Sequence, residues 1–115
     1  MDRIIRKVEK LEKVTVLSLE LDSITMNESQ ELVDKFTGLI AEGGRSFILD
    51  LSGTNFIPSI VIASLVMMLK RAKENGADLV ICGLRDTIKK VFEITNLTKV
   101  FIFFDTKEEA LKRYA

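Results

Sequence analysis

Apolar positions change their spacing along this chain, and each change marks an element. Ile4, Ile5 and Val8 precede Val14, Val16, Leu17, Leu19 and Leu21 with polar residues between them, which predicts two strands, roughly Ile4 to Lys10 and Val14 to Leu21. The alternation slips at Val16-Leu17, so the second strand carries a bulge or is buried on both faces. Thr25-Met26-Asn27-Glu28 has the spacing of a capping box. Leu32, Val33, Phe36, Leu39 and Ile40 then form one helical stripe, and Gly43-Gly44 ends it. Phe47 to Leu51 is apolar except for Asp50, as in a central strand covered on both sides.

The next helix is expected from about Ser59 to Asn75, with Gly76 just past its end. Leu79 to Cys82 makes a strand, Ile88, Val91 and Phe92 mark a short helix, and Val100 to Phe103 makes a last strand. Thr106-Lys107-Glu108-Glu109 opens a terminal helix with Ala110, Leu111 and Tyr114 inward. From Phe47 onward strand and helix alternate, which implies parallel strands joined by crossovers, with the two leading strands as a hairpin beside them. The expected fold is therefore α/β: one domain over residues 1–115, a mixed and mostly parallel sheet with helices packed against it.

The helix after Pro58 is unusually apolar. Ile62, Leu65, Val66 and Leu69 are predicted to face the sheet, Ile60, Ser64, Met67 and Arg71 to lie opposite, and Val61 and Met68 to flank them. A helix covering a sheet is normally polar outside. Either a neighbouring element covers the outer residues or they form a partner surface, for which adaptable methionine is suited.

Composition narrows the chemistry. The 115 residues carry 17 basic and 17 acidic side chains and no histidine. A balanced charge gives no electrostatic case for direct nucleic-acid binding. Absent histidine removes the commonest general base and most zinc sites. No G-x-G-x-x-G or G-x-x-x-x-G-K-S/T motif occurs, so no cofactor, metal or catalytic residue is expected. The lone Cys82 ends an apolar strand and reads as a buried small residue. Met1 to Lys13 lacks the continuous apolar core of a signal peptide, and no run spans a bilayer. Neither secretion nor membrane insertion is expected, and the placement is cytoplasmic.

The segment Asp50-Leu51-Ser52-Gly53-Thr54-Asn55-Phe56-Ile57-Pro58-Ser59 carries most of the functional information. It places a strand end, a polar loop and a hydroxyl at a helix N-terminus, where backbone amides and the helix dipole favour negative charge. This segment resembles the central motif of the STAS domain of bacterial anti-sigma factor antagonists, D-L-S-x-x-x-F/Y-I/M-D-S-S/A-G-L-G. Leu21-Asp22, Lys70-Arg71-Ala72-Lys73-Glu74-Asn75-Gly76, Ile94-Thr95-Asn96-Leu97-Thr98-Lys99-Val100-Phe101 and Asp105-Thr106-Lys107-Glu108-Glu109-Ala110 resemble further family segments in the same order.

The resemblance implies a regulatory module that is not itself an enzyme. It implies that Ser59 is phosphorylated by an anti-sigma factor that is also a serine kinase, that the unmodified form holds that kinase, and that a phosphatase resets the switch. The implied partner surface comprises Asp22, Ser23, Asn27, Thr54, Asn55, Ser59, Ile60, Val61 and Met67. A weak homodimer is left open.

Each residue also has a plainer reading. Ser59 serves equally as an N-cap, Thr54 and Ser52 as loop-fixing side chains, Asp22 as a solvated turn acid and Asp50 as a strand-end carboxylate satisfied by loop amides. The chain departs from the family pattern at Pro58, Val61 and Ala63, where an acid and two glycines are usual, and at Leu19, where the early glycine stands. Pro58 and Val61 support a second reading, a STAS scaffold subunit without phosphorylation in an ATPase-linked or stress-signalling assembly. A third, an α/β enzyme or nucleotide binder, has no motif behind it.

Overall fold

Val16, Ile48 and Val80 form one row across three strands, and Leu17, Leu49 and Ile81 form the next row on the opposite face. All six are buried, so both faces of the sheet centre are covered. This is why the apolar phase slips at Val16-Leu17: strand β2 (Thr15–Leu19) is buried on both sides. The irregularity lies instead in β1 (Ile5–Lys10), between Ile5 and Lys7. The computed structural model describes residues 4–115, so Met1, Asp2 and Arg3 of the charged opening stretch lie outside the described residues.

The sheet has five strands in the order β1-β2-β3-β4-β5. After β1 and β2 come β3 (Ser46–Asp50), β4 (Asp78–Cys82) and β5 (Ile102–Phe104). β1 and β2 are antiparallel, and every later pairing is parallel. Crossovers of one hand that always step in one direction place their helices on one face. Helices α1 (Met26–Ala41), α2 (Ser59–Glu74) and α3 (Asp86–Ile94) accordingly share the large core. The short helix α4 (Lys107–Lys112) covers the other face, with Ala110, Leu111 and Tyr114 over Val16, Ile48, Val80 and Cys82. Asp78 holds that helix end, accepting from Arg113 Nε at 2.8 Å and from the Tyr114 hydroxyl at 2.7 Å.

The helix boundaries follow their end residues. Thr25 caps α1, its hydroxyl accepting from the Glu28 amide at 3.1 Å while the Glu28 carboxylate accepts from the Thr25 amide at 2.9 Å. Asn75 is the C-cap of α2, and Gly76 follows with φ of 66°, a left-handed turn that suits glycine. The last strand starts later than its apolar run predicts, because Leu97–Lys99 wind into a 3-10 turn that takes Val100 out of the ladder.

The predicted faces of α2 are rotated. Val61, Leu65, Met68, Leu69 and Ala72 are buried against the sheet side, whereas Val66 is 40% exposed and Ile62 half-buried. The physical reason is α1, which packs alongside and draws Ser64 into a shared interface. There the Ser64 hydroxyl donates to the Ile60 carbonyl at 3.1 Å and is hydrogen-bonded to the Ser29 hydroxyl. Both serines are buried, so this pair satisfies polar groups in the helix–helix seam.

Candidate functional site

The loop between β3 and α2 is built from its base upward. Asp50 ends β3 and accepts from the Ser52 amide at 3.0 Å, as expected of a strand-end carboxylate. Thr54 is completely buried. Its hydroxyl donates to the Leu19 carbonyl and accepts from the Leu21 amide, both at 3.1 Å. It thus joins this loop to the end of β2. Thr54 was expected on the partner surface; its burial makes it an internal tie instead. The same correction applies to Val61, which is wholly buried in the core beneath α2. A branched side chain fits there because the site faces the sheet rather than the outside.

Asp22 supplies a second tie, from the turn after β2. One carboxylate oxygen accepts from the Asn55 amide at 2.7 Å and from the Phe56 amide at 3.3 Å, and the other accepts from the Asn55 side-chain amide at 3.1 Å. Partial desolvation pushes this carboxyl upward. The Asn55 and Phe56 hydrogen bonds, together with the nearby Arg85 guanidinium, outweigh that and hold it below its ordinary range. Arg85 also donates to the Ser52 carbonyl at 3.1 Å, so the β4–α3 turn braces the loop from the other side. Asp22 is therefore a holder of the loop and not a solvated turn acid.

These ties bring the chain to Ser59 in a fixed pose. Pro58, not Ser59, is the N-cap of α2, and it makes no side-chain cap bond. Proline lacks the geometry to continue from a helix but can begin one. Ser59 is thus the first helical residue, exposed, and its hydroxyl has no hydrogen-bond partner among the described residues. The capping role that its sequence position suggests is absent. No acidic side chain lies in the first turn of α2, so its positive end is uncompensated.

Next to Ser59 lies a groove of about 350 Å³ between α1 and α2. Met26, Ile60, Ala63 and Met67 give it an apolar floor, and Asn27, Gln30 and Arg71 form its polar margin. Met26 is 76% exposed, Met67 41% and, in the loop above, Phe56 61%. Of the residues expected on the partner surface, Asn27, Ile60 and Met67 line this groove, Ser59 immediately precedes Ile60, and Ser23 and Asn55 are exposed in the turn and loop that Asp22 joins. Sequence reasoning set Arg71 on the outer stripe of α2 but did not single out Met26, Phe56 or Arg85. Met26 shares the helical spacing of Gln30 and Val33, which was a usable signal. Nothing in the sequence foretells the approach of Arg85 to Ser52, 33 residues away.

No group of three or more acidic or cysteine side chains that could hold a metal occurs among the described residues. Within them, no helix is long and apolar enough to cross a membrane. Cys82 is buried, and desolvation, aided by the Asp50 and Glu108 charges, pushes its thiol up to about 12.

Comparison with known proteins agrees with this architecture. The anti-sigma-B factor antagonist of Staphylococcus aureus is 32% identical over 78 residues, covering 68% of this chain and 69% of that protein. An anti-sigma-factor antagonist (STAS) domain protein from Planctomyces limnophilus superposes with a TM-score of 0.78 at 27% identity, over 94% of this chain and 96% of that one. The Bacillus cell fate determinant SpoIIAA in its phosphorylated form superposes with a TM-score of 0.72, over 95% of this chain and 98% of that one; at 19% identity this is a likeness of fold. The model of the STAS domain matches residues 6–110. A five-stranded, mostly parallel sheet, a braced loop running into α2 and a family match over nearly the whole length lead to one assignment: the chain belongs to the STAS domain family.

Proposed function

We propose that this protein is an anti-sigma factor antagonist that works by partner switching, with Ser59 as the switch. The observation that carries the reading is the state of the Ser59 hydroxyl: exposed, at the first position of α2, and without a hydrogen-bond partner among the described residues. A kinase can reach such an oxygen without unfolding anything. In the proposed step an anti-sigma factor kinase transfers the γ-phosphoryl group of ATP to Ser59 Oγ, the hydroxyl proton passes to a base on the kinase, and ADP leaves. The added group carries about −1.5 to −2 charges. The amides at the start of α2 stabilise it, while the apolar groove beside it becomes unfavourable for an acidic or hydrophobic partner. The unmodified protein holds the kinase, and the modified one releases it until a phosphatase restores the hydroxyl.

Relatives named as anti-sigma factor antagonists support this reading, as does a structural neighbour described in a phosphorylated form. The test is direct. Incubation with the host's anti-sigma factor kinase and ATP should add one phosphate, located at Ser59 by peptide mass spectrometry, and Ser59→Ala should take none. Tight binding that ATP leaves unchanged, with no phosphate on Ser59, would instead favour the scaffold reading.

A further inference from the structure

Arg71 stands at the far end of the α1–α2 groove from Ser59. It is half-buried, and its guanidinium has no ion pair or hydrogen bond among the described residues. The side chains lining the groove include no acid. Asp34 on α1, one turn beyond Gln30, is engaged by the Gln30 side-chain amide at 2.9 Å rather than by Arg71. Arg71 lines the groove one turn beyond Met67, and with no counter-charge its guanidinium is available to an incoming carboxylate.

The dimensions suit one kind of occupant. From Ile60 to Arg71 the groove follows α2 for about 16 Å, or about three helical turns. A floor of that length between two helices accepts the apolar stripe of a third helix, read at every third or fourth residue. Methionine and arginine are the residue types that recur at the centres of such interfaces.

We infer that this groove receives an acidic amphipathic helix of the anti-sigma partner, its apolar stripe over Met26, Ile60 and Met67 and one of its carboxylates paired with Arg71. The inference rests on the partner-switching reading and specifies the docking surface for it. The charges then form a gradient. Arg71 attracts the acidic helix at one end, and a phosphate on Ser59 repels it at the other. The switch needs no change of shape, because the second charge is added at the residue just before Ile60, where the groove's α2 lining begins.

The test measures affinity for the purified anti-sigma factor kinase of the host, by calorimetry at several salt concentrations. It compares the unmodified protein with Arg71→Lys, Arg71→Glu and Met67→Glu. Arg71 is at the surface of a finished helix, so thermal unfolding should confirm that the variants are folded. Arg71→Glu and Met67→Glu should each weaken binding about tenfold or more, and Arg71→Lys by much less. Arg71→Glu should also flatten the salt dependence of binding.

If the unmodified protein binds and Arg71→Glu binds equally well, the groove assignment fails while partner switching stands. If the unmodified protein binds no such kinase, both fail. A concentration-dependent dimer that Arg71→Glu abolishes would assign the groove to a second copy of this chain and overturn the inference.

Discussion

The Asp22 carboxylate grips Asn55 twice, through its backbone amide at 2.7 Å and its side-chain amide at 3.1 Å. The two residues are 33 positions apart, so the grip joins the turn after β2 to the loop that delivers Ser59. Hydrogen bonds to a charged acceptor are the stronger ones, but solvent access moderates these. Asp22→Ala should cost on the order of 1 kcal/mol of stability and should loosen the loop, measured as faster amide exchange at Asn55 and Phe56. Since the folded carboxyl lies below its ordinary 3.8, the grip contributes its stability above that value and loses it as pH falls through the lower folded value. Urea unfolding in acid should therefore show a steeper loss for the unmodified protein than for Asp22→Ala.

Ser59 and Thr25 look alike in sequence, since each precedes a helix, yet only Thr25 caps one. Thr25→Ala should cost about 1 kcal/mol. Ser59→Ala should leave stability almost unchanged, while Ser59→Asp should impair binding of the anti-sigma kinase. Equal and large destabilisation by both alanine variants would show that the Ser59 hydroxyl is a structural group after all.

Thr54 carries a buried hydroxyl with one bond in each direction, to the Leu19 carbonyl and from the Leu21 amide. Thr54→Val keeps the shape and removes one buried hydrogen bond from each backbone group, so a loss of about 1–3 kcal/mol is expected. Thr54→Ser keeps the bonds and should recover most of it. Chemical denaturation of the two variants separates lost hydrogen bonding from lost volume.

Cys82 lies beneath α4, and burial raises its thiol to about 12. It should resist a disulfide reagent at mildly alkaline pH and react fully in denaturant. Removing the two groups that bind Asp78, by Tyr114→Phe with Arg113→Ala, should loosen α4 and speed the reaction before global unfolding. No acceleration would mean that apolar packing alone holds the helix down.

The sheet was legible because its signals are local: apolar residues on both faces of β2, continuous apolar runs in β3 and β4, capping threonines at α1 and α4. The orientation of α2 was not, because apolar residues surround most of that helix. Only the neighbour across the Ser29–Ser64 seam decides which of them stay outside. The loop ties were hidden for a related reason. Thr54 and Asp22 are the polar, turn-forming types expected of a surface loop, and their partners, the end of β2 for one and the β3–α2 loop for the other, lie more than 30 residues away. The family resemblance located the serine; the coordinates separated its neighbours into supports and exposed groups.

The strand order β1-β2-β3-β4-β5 follows the chain without a single insertion between strands already placed. Each new strand pairs only with the one before it, so no closure is longer than a single crossover. A chain emerging from the ribosome can add its layers one after another, with the helix held by Asp78 sealing the last exposed flank.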